Sequence, residues 1–333
     1  MQLRIEMINQ KSFKKAVIFF ANAVGDHLIV LPTVRALSHI FNGRISLMAL
    51  PNAREEIFPD VVFEEAWTIN FPGSKNWYSG VPSTSDITFD HEVLALQAKG
   101  CDLFLSLTAW HTPEVEKLIA LLSPSISMGY FPSFDQVVAS EHCHVFDAVF
   151  SITHEFDPHI RLENFIAPPP ISKKNSLLVK ELRAELEKDG RHILIIHADT
   201  KKRKMWDHEK FLSVIDAFLM EYPNFLAVIV GLWNFLPIER ALNKNRIFNL
   251  CGLSIDLSFG LISIGDVFIG IDSCMLHAAD LFRVPGVGIF GPTEPKRWGF
   301  RFAPHEHIHS EHLELLSEEY VLKALLKLTA SVI

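Results

Sequence analysis

A chain of 333 residues and 37.7 kDa is long enough for about two domains, each able to bury a full hydrophobic core. Hydrophobic residues make up 49% and charged residues 21%, which excludes wholesale disorder and a coiled coil. The net charge of −8 is unevenly placed: residues 1–165 hold 11 Lys and Arg against 19 Asp and Glu, whereas residues 166–333 hold 20 of each. An acidic first half offers no basic stripe for phosphates, so no nucleic-acid partner is expected.

Cys101, Cys143, Cys251 and Cys274 are scattered without a CxxC pair, which fits a reducing compartment rather than a disulfide framework. No apolar run approaches the ~20 residues of a spanning helix. Residues Met1 to Lys15 are polar and basic, which reads as no secretory signal. A mean hydropathy of +0.20 is high for a cytoplasmic protein and points to a surface near membrane or partners.

In chain order, Ala16–Phe20 reads as a buried strand, Ala21–Asp26 as a turn, and Leu28–Phe41 as a helix that Pro32 either kinks or starts late. Ile45–Leu50 and Asp102–Leu107 read as strands of the same sheet, with weaker helical signals between them, and Phe71–Asp90 as a long surface loop. The run Ala167-Pro168-Pro169-Pro170-Ile171, continuing to Ser176, breaks every period and predicts a stiff connector. Residues 1–166 thus form one domain, 167–176 a linker and 177–333 a second domain. The second alternates clearly, with strands at His192–His197, Phe225–Gly231, Ile247–Leu250, Asp266–Ile271 and Gly286–Phe290. Helices are expected at Asp207–Met220, Pro237–Lys244, Asp256–Ser263 and Ser273–Phe282. Near-continuous apolar strands separated by helices mean a parallel sheet covered on both faces. Two such halves would leave a cleft, and open parallel sheets bind ligands outside the carboxyl ends of their strands.

Several familiar spellings fail on context. Gly286-x-Gly288-x-x-Gly291 runs along a strand and meets Pro292 where a dinucleotide-binding helix should open. His305-Glu306-x-x-His309 follows Pro304 outside any helix, so its histidines lack the shared helical face that zinc needs. His142-Cys143-His144 has no partner cluster, and neither a Walker A nor a GxSxG motif is present.

What remains is a set of polar residues at strand ends. Asp26 follows the first strand, where an N-cap is its ordinary role. His197-Ala198-Asp199-Thr200-Lys201-Lys202-Arg203-Lys204-Met205-Trp206 is a basic loop between a strand and a helix, readable also as a solvated charge run. Gly270-Ile271-Asp272-Ser273-Cys274-Met275-Leu276-His277 ends a strand and opens a helix, whose N-terminus attracts anions. Asp272 could equally be a cap there, and His277 a helix histidine.

Taken together, these residues resemble glycosyltransferase family 9, the ADP-heptose heptosyltransferases of lipopolysaccharide core assembly. Val24-Gly25-Asp26-His27-Leu28-Ile29-Val30-Leu31-Pro32 looks like the family's Gly-Asp-x-x-x-x-x-Pro element. His197-Ala198-x-Thr200 with Lys204-x-Trp206 is similar to its donor loop, and Asp272-Ser273-x-x-x-His277 with Phe290-Gly291-Pro292-Thr293-x-Pro295 to its C-terminal signature. Asp199 stands where the family often has a second Thr, Cys274 where a Gly is common, and the family's basic acceptor positions find no match in the first domain.

The resemblance implies the GT-B fold: two Rossmann-like α/β domains facing a central cleft, with the terminal helix packing back toward the first domain. It also implies an inverting enzyme that moves a sugar, heptose from ADP-heptose, to a hydroxyl of a bacterial surface glycan such as lipopolysaccharide core. Asp26 would be the catalytic base. Thr200, Lys204, Ser273 and Cys274 would contact the donor diphosphate, Asp272 the transferred sugar, and His277 would support the loop. Positive charge and a helix N-terminus can stabilise the leaving diphosphate without a metal, so no cofactor beyond the nucleotide sugar is expected. The implied location is cytoplasmic, with peripheral contact at the inner membrane. A nucleotide-sugar-binding protein of the same fold, epimerase-like or regulatory, is the alternative. The acidic first domain further suggests an acceptor less anionic than inner core.

Overall fold

The computed structural model describes residues 12–22, 24–50, 53–69, 96–108, 113–139 and 143–333. The chain divides into two compact units, Met1–Ala167 and Pro168–Ile333.

The sheet of the first unit is parallel throughout. Its strands are β1 (Ala16–Phe20), β2 (Ile45–Ala49), β3 (Ala66–Thr68), β4 (Leu103–Ser106), β5 (Ile126–Gly129) and β6 (Gln136–Val137), in the order β3-β2-β1-β4-β5-β6. All five residues of β1, Ala-Val-Ile-Phe-Phe, are buried, as a central strand covered on both faces requires. Phe19 of β1 and Phe104 of the adjacent β4 stack at 5.6 Å in the core.

The first helix starts earlier than its sequence suggests. It spans Val24–Ile40 and runs through Pro32, so Asp26 is its third residue and not its N-cap. A carboxylate in the first turn still meets the positive end of the helix dipole. On the same helix the largely buried Arg35 donates from Nε to Asp60 Oδ2 at 2.9 Å and from Nη1 to the carbonyls of Phe165 and Ala167, tying the end of the unit to its first helix. The expected loop Phe71–Asp90 lies outside the described residues.

The second unit repeats the plan. Strands β7 (His192–His197), β8 (Phe225–Ile229), β9 (Ile247–Asn249), β10 (Val267–Ile271), β11 (Gly286–Phe290) and β12 (His305–His309) pair in parallel in the order β12-β11-β10-β7-β8-β9. Each sheet therefore starts in its middle, builds outward to one edge, then returns to the centre and builds toward the other. That order is the doubly wound one, and its ligand crevice lies where the direction reverses: between β1 and β4, and between β7 and β10.

Two expected elements differ. The linker gives way to helix within the Pro-rich stretch: the helix Lys173–Lys188 begins directly behind Ser172, whose hydroxyl accepts from Asn175 N at 3.3 Å. Asp256 anchors that start, accepting from Ser172 N at 2.9 Å and Asn175 Nδ2 at 2.7 Å. Residues Pro237–Lys244 form no α-helix, only 3-10 turns at Ile238–Arg240 and Lys244–Arg246. The buried Asp216 carboxylate accepts from Leu242 N and Asn243 N at 2.9 and 2.8 Å, capturing donors an α-helix would have needed.

The terminal helix Glu318–Val332 buries Val321, Leu325 and Leu328 in the core of the second unit, against the helix His208–Glu221 and strands β11 and β12. Its apolar face is thus buried within its own unit. No helix among the described residues is long and apolar enough to cross a membrane.

Candidate active site

Strands β7 and β10 run side by side with His197 opposite Gly270, so the segments that leave their carboxyl ends leave together. Gly270 allows this closeness, since a Cβ there would lie 2.9 Å from the His197 carbonyl oxygen. The loop after β7 is clamped to the loop after β8 at two points. Buried His197 donates from Nδ1 to the Val230 carbonyl at 2.8 Å, and Asp199 Oδ2 accepts from Trp233 N at 3.0 Å. Burial holds the His197 imidazole below its ordinary pKa and keeps it neutral, which suits a structural donor. Asp199, the departure from the family pattern, thereby acquires a structural partner.

Further along, Lys202–Lys204 form a 3-10 turn, and Trp206 drives into the core at 2% exposure with its Nε1 donating to the Leu316 carbonyl at 3.4 Å. The turn and the buried indole aim Lys204 at Asp272. Lys204 Nζ and Asp272 Oδ2 lie 2.5 Å apart, with the lysine side chain 18% and the aspartate 5% exposed. Thr293, two residues beyond Gly291 at the end of β11, donates its hydroxyl to the same carboxylate oxygen at 2.5 Å. Thr200 Oγ1 reaches the Asp272 carbonyl at 3.4 Å.

The helix Cys274–Leu281 opens at this point. Ser273 is its N-cap by position, with extended backbone (φ −164°, ψ 177°), yet its side chain makes no capping bond. Its Oγ is buried and has no hydrogen-bond partner among the described residues. A buried hydroxyl left unpaired costs about 1–3 kcal/mol, and the first turn of a helix also carries N–H groups with no intrahelical acceptor. Cys274 is the first helical residue and half-buried, and His277 lies buried one turn further in. Behind this helix the fully buried Asp280 accepts from Arg301 N, Phe302 N and Ala303 N at 2.8–2.9 Å, fixing the turn that leads into β12.

Thr200, Lys204, Asp272, Ser273, Cys274 and His277 therefore gather at the switch point of the second sheet. Asp26 stands at the corresponding end of the first, where Ser106 and Thr108 at the end of β4 share a 2.6 Å hydrogen bond between their hydroxyls. Thr293 stands in the Gly291-Pro292-Thr293-x-Pro295 motif, which by itself does not reveal the Asp272 contact. The signal is its place three residues beyond the end of β11, in the turn that follows the strand.

The other spellings resolve as strand and cap. Gly286–Phe290 and His305–His309 are both strands, and His144 caps the helix Val145–Phe150, with Nδ1 accepting from Phe146 N at 3.3 Å. Among the described residues no group of three or more His, Cys, Asp or Glu could hold a metal ion.

Two doubly wound parallel sheets in one chain, with polar groups gathered at a switch point, define the GT-B class of glycosyltransferase fold. Residues 166–318, nearly all of the second unit, match the model of glycosyltransferase family 9 (heptosyltransferase). The same fold occurs in a family 9 glycosyl transferase from Veillonella parvula, 16% identical over 97% of this chain and 98% of that one, with a TM-score of 0.74. It occurs in ADP-heptose lps heptosyltransferase II of E. coli, 14% identical over 95% and 99%, TM-score 0.66. It occurs too in E. coli heptosyltransferase WaaC with ADP, 14% identical over 94% and 99%, TM-score 0.62. No curated protein matches the chain by sequence.

Proposed function

We propose that this protein is an inverting glycosyltransferase that moves heptose from ADP-heptose to a hydroxyl of a bacterial surface glycan such as lipopolysaccharide core, without a metal. The observation that carries the reading is the group at the second switch point: Lys204, the N-terminus of the helix Cys274–Leu281, and the Ser273 hydroxyl, unpartnered among the described residues. A doubly negative diphosphate suits all three. It would pair with an ammonium, receive first-turn N–H groups and satisfy the Ser273 donor, with Thr200 and Cys274 at its margin. These groups would hold the charge that develops as the diphosphate departs. Asp272 would accept from hydroxyls of the transferred sugar, and His277 would support the helix from inside.

An inverting single displacement needs one base on the acceptor side, and Asp26 in the first unit is that base in this reading. The family match over the second unit and the shared fold support the donor half of the scheme. The nucleotide sugar is a substrate, and no further cofactor is invoked. The enzyme would work in the cytoplasm, at the inner face of the membrane that carries a glycolipid acceptor.

A thermal-shift panel of ADP-, UDP-, GDP- and CDP-sugars tests the donor. Stabilisation by ADP-heptose above the others supports the reading. Preference for a different nucleotide refutes the donor, and no response to any member refutes the site.

A further inference from the structure

Resting on this donor site, we infer that Thr293 is the positioning residue that orients Asp272 toward the transferred sugar once the nucleotide is bound. Asp272 is almost fully buried, and both of its hydrogen-bonding side-chain neighbours take the same oxygen: Lys204 Nζ and Thr293 Oγ1 each lie 2.5 Å from Oδ2. Oδ1 has no protein hydrogen bond among the described residues, so it is the oxygen left to accept from a ligand hydroxyl.

The two partners of Oδ2 are not equivalent. Lys204 holds its ammonium on Asp272, two residues before the helix Cys274–Leu281, and a diphosphate arriving at that N-terminus draws the ammonium toward itself. Oδ2 then keeps Thr293 as its remaining fixed donor. The hydroxyl is therefore needed most in the ligand-bound state, when the plane of the carboxylate decides whether Oδ1 meets a sugar hydroxyl. Thr293 is built for this role. Gly291 sits where a Cβ would press on Leu313 at 2.8 Å and approach the Arg203 carbonyl oxygen at 3.6 Å, so the turn after β11 lies against the donor loop. Pro292 stiffens that turn, and Pro295 starts the short helix that follows it.

The test compares ADP with ADP-heptose on three proteins: wild type, Thr293→Val, which keeps the shape and removes the hydroxyl, and Thr293→Ser, which keeps the hydroxyl. Calorimetry should show Thr293→Val binding ADP within about threefold of wild type but ADP-heptose at least ~10-fold more weakly, as losing a hydrogen bond to a charged group predicts. Thr293→Ser should restore most of the difference. Equal loss for both ligands with a lowered melting temperature would show a merely structural threonine and overturn the inference. So would a Thr293→Val protein that binds ADP-heptose like wild type. A wild-type chain that binds neither ligand overturns the donor site itself, an outcome distinct from the other two.

Discussion

At the scale of single residues, the proposed reaction gives donor binding to Lys204 and the chemistry to Asp26, and two substitutions test them separately. Lys204 is 18% exposed and already holds one charged partner, so Lys204→Ala removes a charge-assisted contact worth about 1.5–3 kcal/mol and should weaken ADP binding by roughly 10- to 150-fold in calorimetry. Unchanged ADP affinity would show that the ammonium belongs to Asp272 alone. Asp26 is a first-turn residue, so Asp26→Asn should cost the helix no more than about 0.3–1 kcal/mol of dipole interaction. The amide cannot accept a proton, so turnover should fall by roughly 10²–10⁴-fold while ADP affinity holds. A folded Asp26→Asn enzyme transferring at more than about a tenth of the wild-type rate would leave the carboxylate with a purely helical role. Lys204, Asp272 and Ser273 were legible in the sequence because each lies in a short motif at a strand end. The partnership of Thr293 with Asp272 was not, because it needs β10 and β11 to be neighbours, and twenty-one residues of chain separate the two side chains.

At the scale of elements, the central strands were readable as continuous apolar runs, since a strand covered on both faces leaves no polar alternation to interpret. The helix expected at Pro237–Lys244 does not form because Asp216, a carboxylate on another helix, takes two of its backbone donors. A similar long-range carboxylate supports the site from below. Asp266, just before β10, receives a forked contact from Arg183 at 2.7 and 2.9 Å and accepts from Ile193 N at 2.7 Å, joining the helix Lys173–Lys188 to the starts of β7 and β10. Burial pushes the Asp266 carboxyl up, but Arg183 and the Ile193 N–H outweigh it and hold it below its ordinary value. A depressed carboxylate stabilises the fold above its unfolded pKa, near 3.9, and the contribution is lost as pH falls through the lower folded value. Asp266→Asn should therefore lower the melting temperature clearly at pH 7 and progressively less below about pH 4. A difference that stays constant with pH would mean that the ionised state contributes nothing. On the opposite side of β7, Gly231 has φ +140° and a Cβ there would stand 2.8 Å from His197 Nδ1. Gly231→Ala should break the clamp between the two loops, destabilise the unit by more than about 1 kcal/mol, and weaken ADP binding. Wild-type stability and affinity in that variant would show the clamp to be dispensable.

For the whole molecule, the division into two units falls at the proline run, and the alternation of the second half announced its sheet. The first sheet was harder to see because its outer strands have only two to four residues, too short for a periodic signal. Charge is the one property of the whole chain that bears on the acceptor. The first half carries the entire deficit of −8, while the second is balanced. Lipopolysaccharide inner core is rich in carboxylates and phosphates, and a partner of like sign is repelled over about a Debye length, some 8 Å at physiological salt. An acceptor of low charge, such as an outer saccharide of the surface glycan, meets no such barrier. The expected outcome is transfer to a neutral oligosaccharide acceptor at a rate that changes less than about twofold between roughly 50 and 300 mM NaCl. Strong like-charge repulsion would instead make transfer to a phosphorylated inner-core fragment slow at low salt and faster as salt screens it. Tight binding of that fragment, weakening steeply as salt rises, would reverse the conclusion, because it requires a basic pocket strong enough to override the acidic half around it.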